Sequence, residues 1–104
     1  MDNQKEILGQ IKTIVQEQAP DAKVFLFGSR SRGDFNDESD WDILIILQNQ
    51  PNRILKNKIH EMLFPLSLEI NSFINTVVVS EEDWLHHPAY YSLYESTRHE
   101  TLAL

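Results

Sequence analysis

Two carboxylates stand at the head of an apolar run: Asp40-Trp41-Asp42 leads directly into Ile43-Leu44-Ile45-Ile46-Leu47. A run that apolar reads as a buried strand. Charge is disfavoured at the head of such a strand unless a counter-ion is present. Because strand side chains alternate with period two, Asp40 and Asp42 share one face and can grip the same cation, while Trp41 goes to the other face. Across a ten-residue spacer, Arg30 to Ser39, the chain carries a second signal. Val24 to Phe27 reads as a short buried strand, and Gly28 permits a tight turn out of it, with Ser29 placed as a helix N-cap. A strand, a glycine turn and a helix start present backbone N–H groups and a hydroxyl to phosphate oxygens. A phosphate cradle and a pair of metal-binding carboxylates are what phosphoryl and nucleotidyl transfer require together.

The rest of the chain reads as elements around these two signals. Asn3 to Gln18 is an amphipathic helix, with Ile7, Leu8, Ile11, Ile14 and Val15 at helical spacing and Pro20 closing it. Strand Lys23–Phe27, a short helix after Gly28-Ser29, a polar loop from Gly33 to Ser39 and strand Trp41–Leu47 follow. Gln48 to Asn52, with Pro51, is a break. A helix is expected from Asn52 to about Phe64, interrupted by Pro65. Ser67 to Asn71 fits either the end of that helix or a short strand. Phe73 to Val79 is a β-branched strand, and Ser80 caps a helix from Glu81 to His86 that ends before Pro88. A last helix is expected from Ala89 to about Arg98. This order predicts an α+β two-layer domain, in which a small mixed sheet carries its helices mainly on one face.

Composition narrows the function. The 104 residues, 41% of them hydrophobic, suit one domain over 1–104 that buries roughly two-thirds of its unfolded surface. Nine basic against sixteen acidic residues give a net charge of −7. That balance argues against a long nucleic acid as ligand, though not against a nucleotide bound through a metal. With no cysteine there is neither a disulfide framework nor a thiolate zinc site. No apolar run approaches membrane-spanning length, and Met1 to Glu6 lacks the layout of a signal peptide, so the expected compartment is the cytoplasm.

The stretch Gly28-Ser29-Arg30-Ser31-Arg32-Gly33-Asp34, then Ser39-Asp40-Trp41-Asp42-Ile43-Leu44-Ile45, resembles the minimal nucleotidyltransferases of the DNA polymerase beta-like superfamily. The resemblance is strongest over Val24 to Leu47 and continues more weakly through Val77 to Trp84. It implies the nucleotidyltransferase fold, with the two motif strands as neighbours and the metals at the open end of the sheet. It also implies that Asp40 and Asp42 hold two Mg²⁺ ions, that Gly28 and Ser29 hold the β- and γ-phosphates, with Ser39 beside them, and that Arg30 or Arg32 offsets charge on the leaving pyrophosphate. For both arginines an exposed, solvated position is the competing reading.

The chain departs from the family pattern at the third carboxylate. Where active members place an acid on the next strand, this sequence has Ile74-Asn75-Thr76-Val77. Asn75 can ligate through its carbonyl but cannot act as a base. Glu69 is the alternative third acid if Ser67 to Asn71 aims it at the site, and an ordinary surface glutamate otherwise.

Minimal members are often antitoxins that attach AMP from ATP to a hydroxyl of a helical toxin-like partner, or simply mask that partner. A catalytically impaired binding module is thus the alternative to a transferase. Tyr90, Tyr91 and Tyr94 form an aromatic stripe suited to core packing or to an interface. His60-Glu61 opens like a metalloprotease helix, but Phe64 stands where the second histidine is needed. His86-His87 reads as a helix end.

Overall fold

The computed structural model describes residues 3–33, 36, 39–97 and 101–104. Its elements run α1 (Asn3–Gln18), β1 (Lys23–Phe27), α2 (Ser29–Arg32), β2 (Trp41–Leu47), α3 (Arg53–Ile70), β3 (Ile74–Ser80), α4 (Glu81–His86), a 3-10 turn (Pro88–Tyr90), α5 (Tyr91–Thr97) and β4 (Leu102–Ala103). The sheet order is β3-β2-β1-β4. β1 pairs antiparallel with β2 and with β4, whereas β2 and β3 run parallel. Parallel neighbours need a long crossover, and α3 supplies it.

Alternation along the central strands divides the molecule into two apolar layers. Val24 and Leu26 of β1, Trp41, Ile43, Ile45 and Leu47 of β2, and Val78 of β3 face the long helices, where Ile11 and Val15 of α1 and Ile59, Leu63 and Leu66 of α3 meet them. Phe25, Phe27, Leu44, Ile46, Val77 and Val79 face the other way, against Trp84, Tyr90, Leu93 and Tyr94. The two long helices thus share one face, and the short C-terminal ones cover part of the second. Trp84 sits 5.7 Å from the Tyr94 ring in an edge-on contact and 6.5 Å from Tyr90. Two of the three tyrosines of the stripe are therefore packing residues, while Tyr91 is exposed. His87 accepts a hydrogen bond from the Ala89 backbone N–H at 3.1 Å, which starts the 3-10 turn. The expected last helix accordingly begins two residues late, at Tyr91, and Arg98 lies outside the described residues.

α3 overturns the expectation that Pro65 ends it. Asn52 caps its start by accepting from the Leu55 N–H at 2.8 Å, and the helix runs through Pro65 to Ile70. Pro65 and Glu61 are both exposed, so the Glu61 carbonyl that a proline ring leaves unpaired faces water. The buried stripe lies on the opposite side, which removes the competing strand reading of Ser67 to Asn71. The helix stops where Asn71 turns left-handed (φ 54°, ψ 42°), with its N–H on the Leu68 carbonyl and the Ser72 N–H on the Ser67 carbonyl. β4 was not expected at all: it is two residues long and carries no alternation.

An exposed interior proline costs helix stability without serving the core. Pro65→Ala is expected to raise unfolding free energy by roughly 1–3 kcal/mol, read from the urea midpoint at unchanged m-value. No change would show that the helix is already kinked there.

Candidate active site

The pairing of β1 with β2 places Phe27 opposite Asp42, so the residue after β1 leaves the sheet beside that acid. This residue is Gly28, at φ 77° and ψ −158°, a conformation essentially reserved for glycine. A Cβ at position 28 would run into the Asp42 carboxylate. Glycine is thus required twice, for backbone shape and for space. Its carbonyl accepts from the Ser31 N–H at 3.1 Å and from the Ser31 hydroxyl at 2.8 Å, which closes the single turn of α2. Gly33, at φ 84°, ends it.

Gly28, rather than Ser29, occupies the N-cap position, and no side chain caps the turn. Ser29 is the first helical residue because the strand runs on to Phe27 and only glycine can make the reversal. The side chains of Ser29 and Arg32 lie outside the described residues, as does all of Asp34.

Arg30 is buried, with 6% of its surface exposed, which corrects its reading as a solvated surface cation. Its Nε donates to the Ser39 carbonyl at 3.1 Å, and Nη2 donates to the same carbonyl at 2.8 Å and to the Asn36 carbonyl at 3.3 Å. The guanidinium lies 3.9 Å over the Trp41 ring. Its planar fork suits this use, since several donors converge on two carbonyls while the flat face stacks. Ser39 closes the same loop: its N–H donates to the Asn36 carbonyl at 3.1 Å, and its hydroxyl accepts from the Asn36 N–H at 3.0 Å. Arg30 and Ser39 both belong to the frame that delivers the chain to Asp40. Sequence reasoning missed this, although Arg30 and Trp41 both lie within the motif.

Asp40 is exposed, Asp42 half-buried, and both meet one group. Asn75 lies opposite Asp42 in the parallel register, and its Nδ2 stands 3.2 Å from Asp40 Oδ2 and 3.2 Å from Asp42 Oδ1. The two carboxylates therefore converge on a single point, and Asn75 occupies the position expected of the third acid. Oxygen donors converging in this way fit a hard divalent cation such as Mg²⁺. Among the described residues no group of three or more His, Cys, Asp or Glu gathers.

Glu69 lies in the last turn of α3, exposed, and does not line the groove beside Asp40. That groove, of about 410 Å³, runs between the C-terminal half of α3 and the start of β3, and its walls include Asp40, His60, Phe64, Leu68 and Phe73. His60 Nε2 is 2.9 Å from the Thr76 hydroxyl. Phe73, Leu68 and Phe64 are 74, 65 and 61% exposed, unusual for large apolar side chains. For Phe64 and Leu68 the signal in the sequence was their place off the core stripe of α3.

The close approach of Gly28 to Asp42 predicts a measurable coupling. Gly28→Ala is expected to cost roughly 1–3 kcal/mol of stability from backbone strain together with the clash. In an Asp42→Ala background the clash is gone, so the same change costs less. A double-mutant cycle by denaturant unfolding checks this, and equal costs in both backgrounds would refute the contact.

Residues 8–89 match the family model for the nucleotidyltransferase domain. The chain is 35% identical over 74 residues, 71% of this chain and 73% of the other, to a Methanocaldococcus jannaschii protein named as a protein adenylyltransferase. In fold it is similar to a toxin–antitoxin crystal structure with AMP-PNP (TM-score 0.64, 20% identity, 91% of this chain and 69% of that one). It is similar also to a complex of the tri-AMPylated Shewanella oneidensis HEPN toxin with its MNT antitoxin (TM-score 0.62, 18% identity, 96% and 70%). The glycine turn against Asp42, the converging acids and the match across most of its length make this chain a member of the nucleotidyltransferase domain family.

Proposed function

We propose that this chain transfers AMP from ATP to a hydroxyl of a partner protein, as the antitoxin half of a toxin–antitoxin pair whose toxin is helical. The observation that carries the reading is the convergence of Asp40 and Asp42 on one point directly beside the Gly28 turn. The adenylyltransferase name of the archaeal relative and the AMPylated toxin of a fold neighbour support the choice of AMP and of a protein acceptor. A net charge of −7 suits a nucleotide better than a long nucleic acid. Among the described residues no helix is long and apolar enough to cross a membrane. The proposal places one such domain, over 1–104, in the cytoplasm.

In this reading Gly28 lets backbone approach the β- and γ-phosphates, with the Ser29 N–H at the start of α2 and the Arg32 side chain as further partners. Asp40 and Asp42 would hold Mg²⁺ between them. The ion, when bound, offsets the triphosphate charge and polarises the phosphorus under attack. Arg30 and Ser39 keep the loop, and hence Asp40, in place. The acceptor oxygen bonds to the α-phosphorus, the bond from that phosphorus to the bridging oxygen breaks, and pyrophosphate leaves. The Asn75 amide cannot take up the acceptor's proton, which passes to water or to a group of the acceptor itself. With phosphates on the Gly28 side, in-line attack must come from the β3 side, where the groove with Phe64, Leu68 and Phe73 opens.

Asn75 in the third-acid position favours a second reading, a binding module that masks its partner without turnover. Incubation with labelled ATP, Mg²⁺ and a co-purified partner separates the two. Transfer is expected from wild type and should fall on the order of 10²–10³-fold in Asp40→Ala/Asp42→Ala, as removal of several kcal/mol of transition-state stabilisation implies. Label transfer that survives loss of both acids would sink the mechanism. Absence of transfer by wild type, with a partner complex indifferent to Mg²⁺, would establish the masking module instead.

A further inference from the structure

We propose that Asn75 is a positioning residue that makes cation binding at this site conditional on nucleotide. The inference rests on the ATP reading above. It starts from the contacts of one amide: Asn75 Nδ2 lies 3.2 Å from a carboxylate oxygen of each acid. An amide nitrogen carries two protons, so it donates to both at once. The opposite orientation would turn the carbonyl oxygen toward two carboxylates, acceptor against acceptors, so the network fixes the assignment. The contact is imposed by the sheet. Asp42 and Asn75 are register partners on adjacent parallel strands, and alternation sends both side chains to the same face.

The clamp has two effects. It offsets the mutual repulsion of Asp40 and Asp42, holding them convergent without a metal. It also points N–H dipoles at the place a cation would take, so a cation can enter only after the amide turns to present Oδ1 or withdraws. A carboxylate at position 75 would do the reverse, adding a third negative charge at that point.

With Asn75 the site offers two charged protein ligands, and among the described residues no third acid or histidine joins them. Mg²⁺ prefers an octahedral oxygen shell and gives up its waters reluctantly. Phosphate oxygens of a bound nucleotide add charged ligands that water does not supply, so the cation is held more tightly when nucleotide is present.

Titration with Mn²⁺, followed by the loss of the free-ion EPR signal, tests this on the whole chain as wild type, Asn75→Asp and Asn75→Ala, with and without AMP-PNP. Thermal unfolding is run in parallel. Wild type is expected to bind Mn²⁺ at least tenfold more tightly with AMP-PNP than without. Asn75→Asp should bind Mn²⁺ without nucleotide at least tenfold more tightly than wild type, and its unfolding midpoint should fall in metal-free buffer and recover with Mn²⁺. Asn75→Ala, which removes the blocking N–H groups and leaves both acids, should lose midpoint in metal-free buffer yet gain nucleotide-free Mn²⁺ affinity, by less than Asn75→Asp; loss of packing alone would lower the midpoint with no such gain. Equal nucleotide-free affinity in wild type and Asn75→Asp would overturn the clamp. If AMP-PNP binds wild type but leaves its Mn²⁺ affinity unchanged, the coupling is overturned. Failure of AMP-PNP to bind any variant would overturn the ATP reading and the coupling with it, while the nucleotide-free comparison still decides the clamp.

Discussion

The register of β1 against β2 fixes everything else about the site. Opposing Phe27 and Asp42 brings the first residue beyond β1 against the Asp42 carboxylate, where only a hydrogen in place of a Cβ can be accommodated. A slip of one residue would invert each side chain of β2, moving Asp42 among the long helices and Ile43 and Ile45 to the face of the short ones. Two apolar layers stand against such a slip. Ile43 and Ile45 are fully buried against α1 and α3, and Leu44 and Ile46 are buried against Trp84. The hydrophobic alternation that builds the core is the same constraint that aims the acids.

The loop before β2 is tied down by different means. Asp40 is exposed and precedes the strand, so sheet hydrogen bonds do not hold it. Arg30 does so indirectly, by donating to the carbonyl of the residue before it and stacking on the ring of the residue after it. The Trp41 ring is buried among the residues facing the long helices, and its backbone N–H donates to the Phe73 carbonyl at 2.9 Å. The exposed acid is thereby connected through one guanidinium and one indole to the interior. A buried arginine with its donors used in this way is costly to replace, since its loss leaves carbonyls unpaired.

Most of the fold was legible in the sequence because period and punctuation agreed. The bounds of α1, β1, β2 and α4 follow directly from apolar spacing, Pro20, Gly28 and the Ser80 cap. The misreadings have separate causes. A proline inside a helix ordinarily breaks it, but at Pro65 burial of Leu63 and Leu66 on one side and solvent on the other outweigh that rule. β4 is invisible to any period, since its two residues are held only by pairing with β1. At the site, the paired acids and the glycine turn were legible from spacing, whereas the third-acid position at which Asn75 stands is implied only by the family resemblance. The role of Arg30 was not, because a buried guanidinium and an exposed one look the same in a sequence, and only the loop's carbonyls tell them apart.

The parts of the site also differ in when they can exist during folding. Gly28, Asp42 and the loop between them belong to one antiparallel pair whose strands are close in the chain, so the turn and the acids can come together early and locally. Asn75 reaches the same acids across sequence separations of 33 and 35 residues, and only after α3 has packed and carried β3 alongside β2. Until that crossover closes, two like charges face each other unbridged. Closure of the amide bridge is thus a late step, and hydrogen exchange that opens β3 would open the acid pair with it while the β1–β2 pair stays shut.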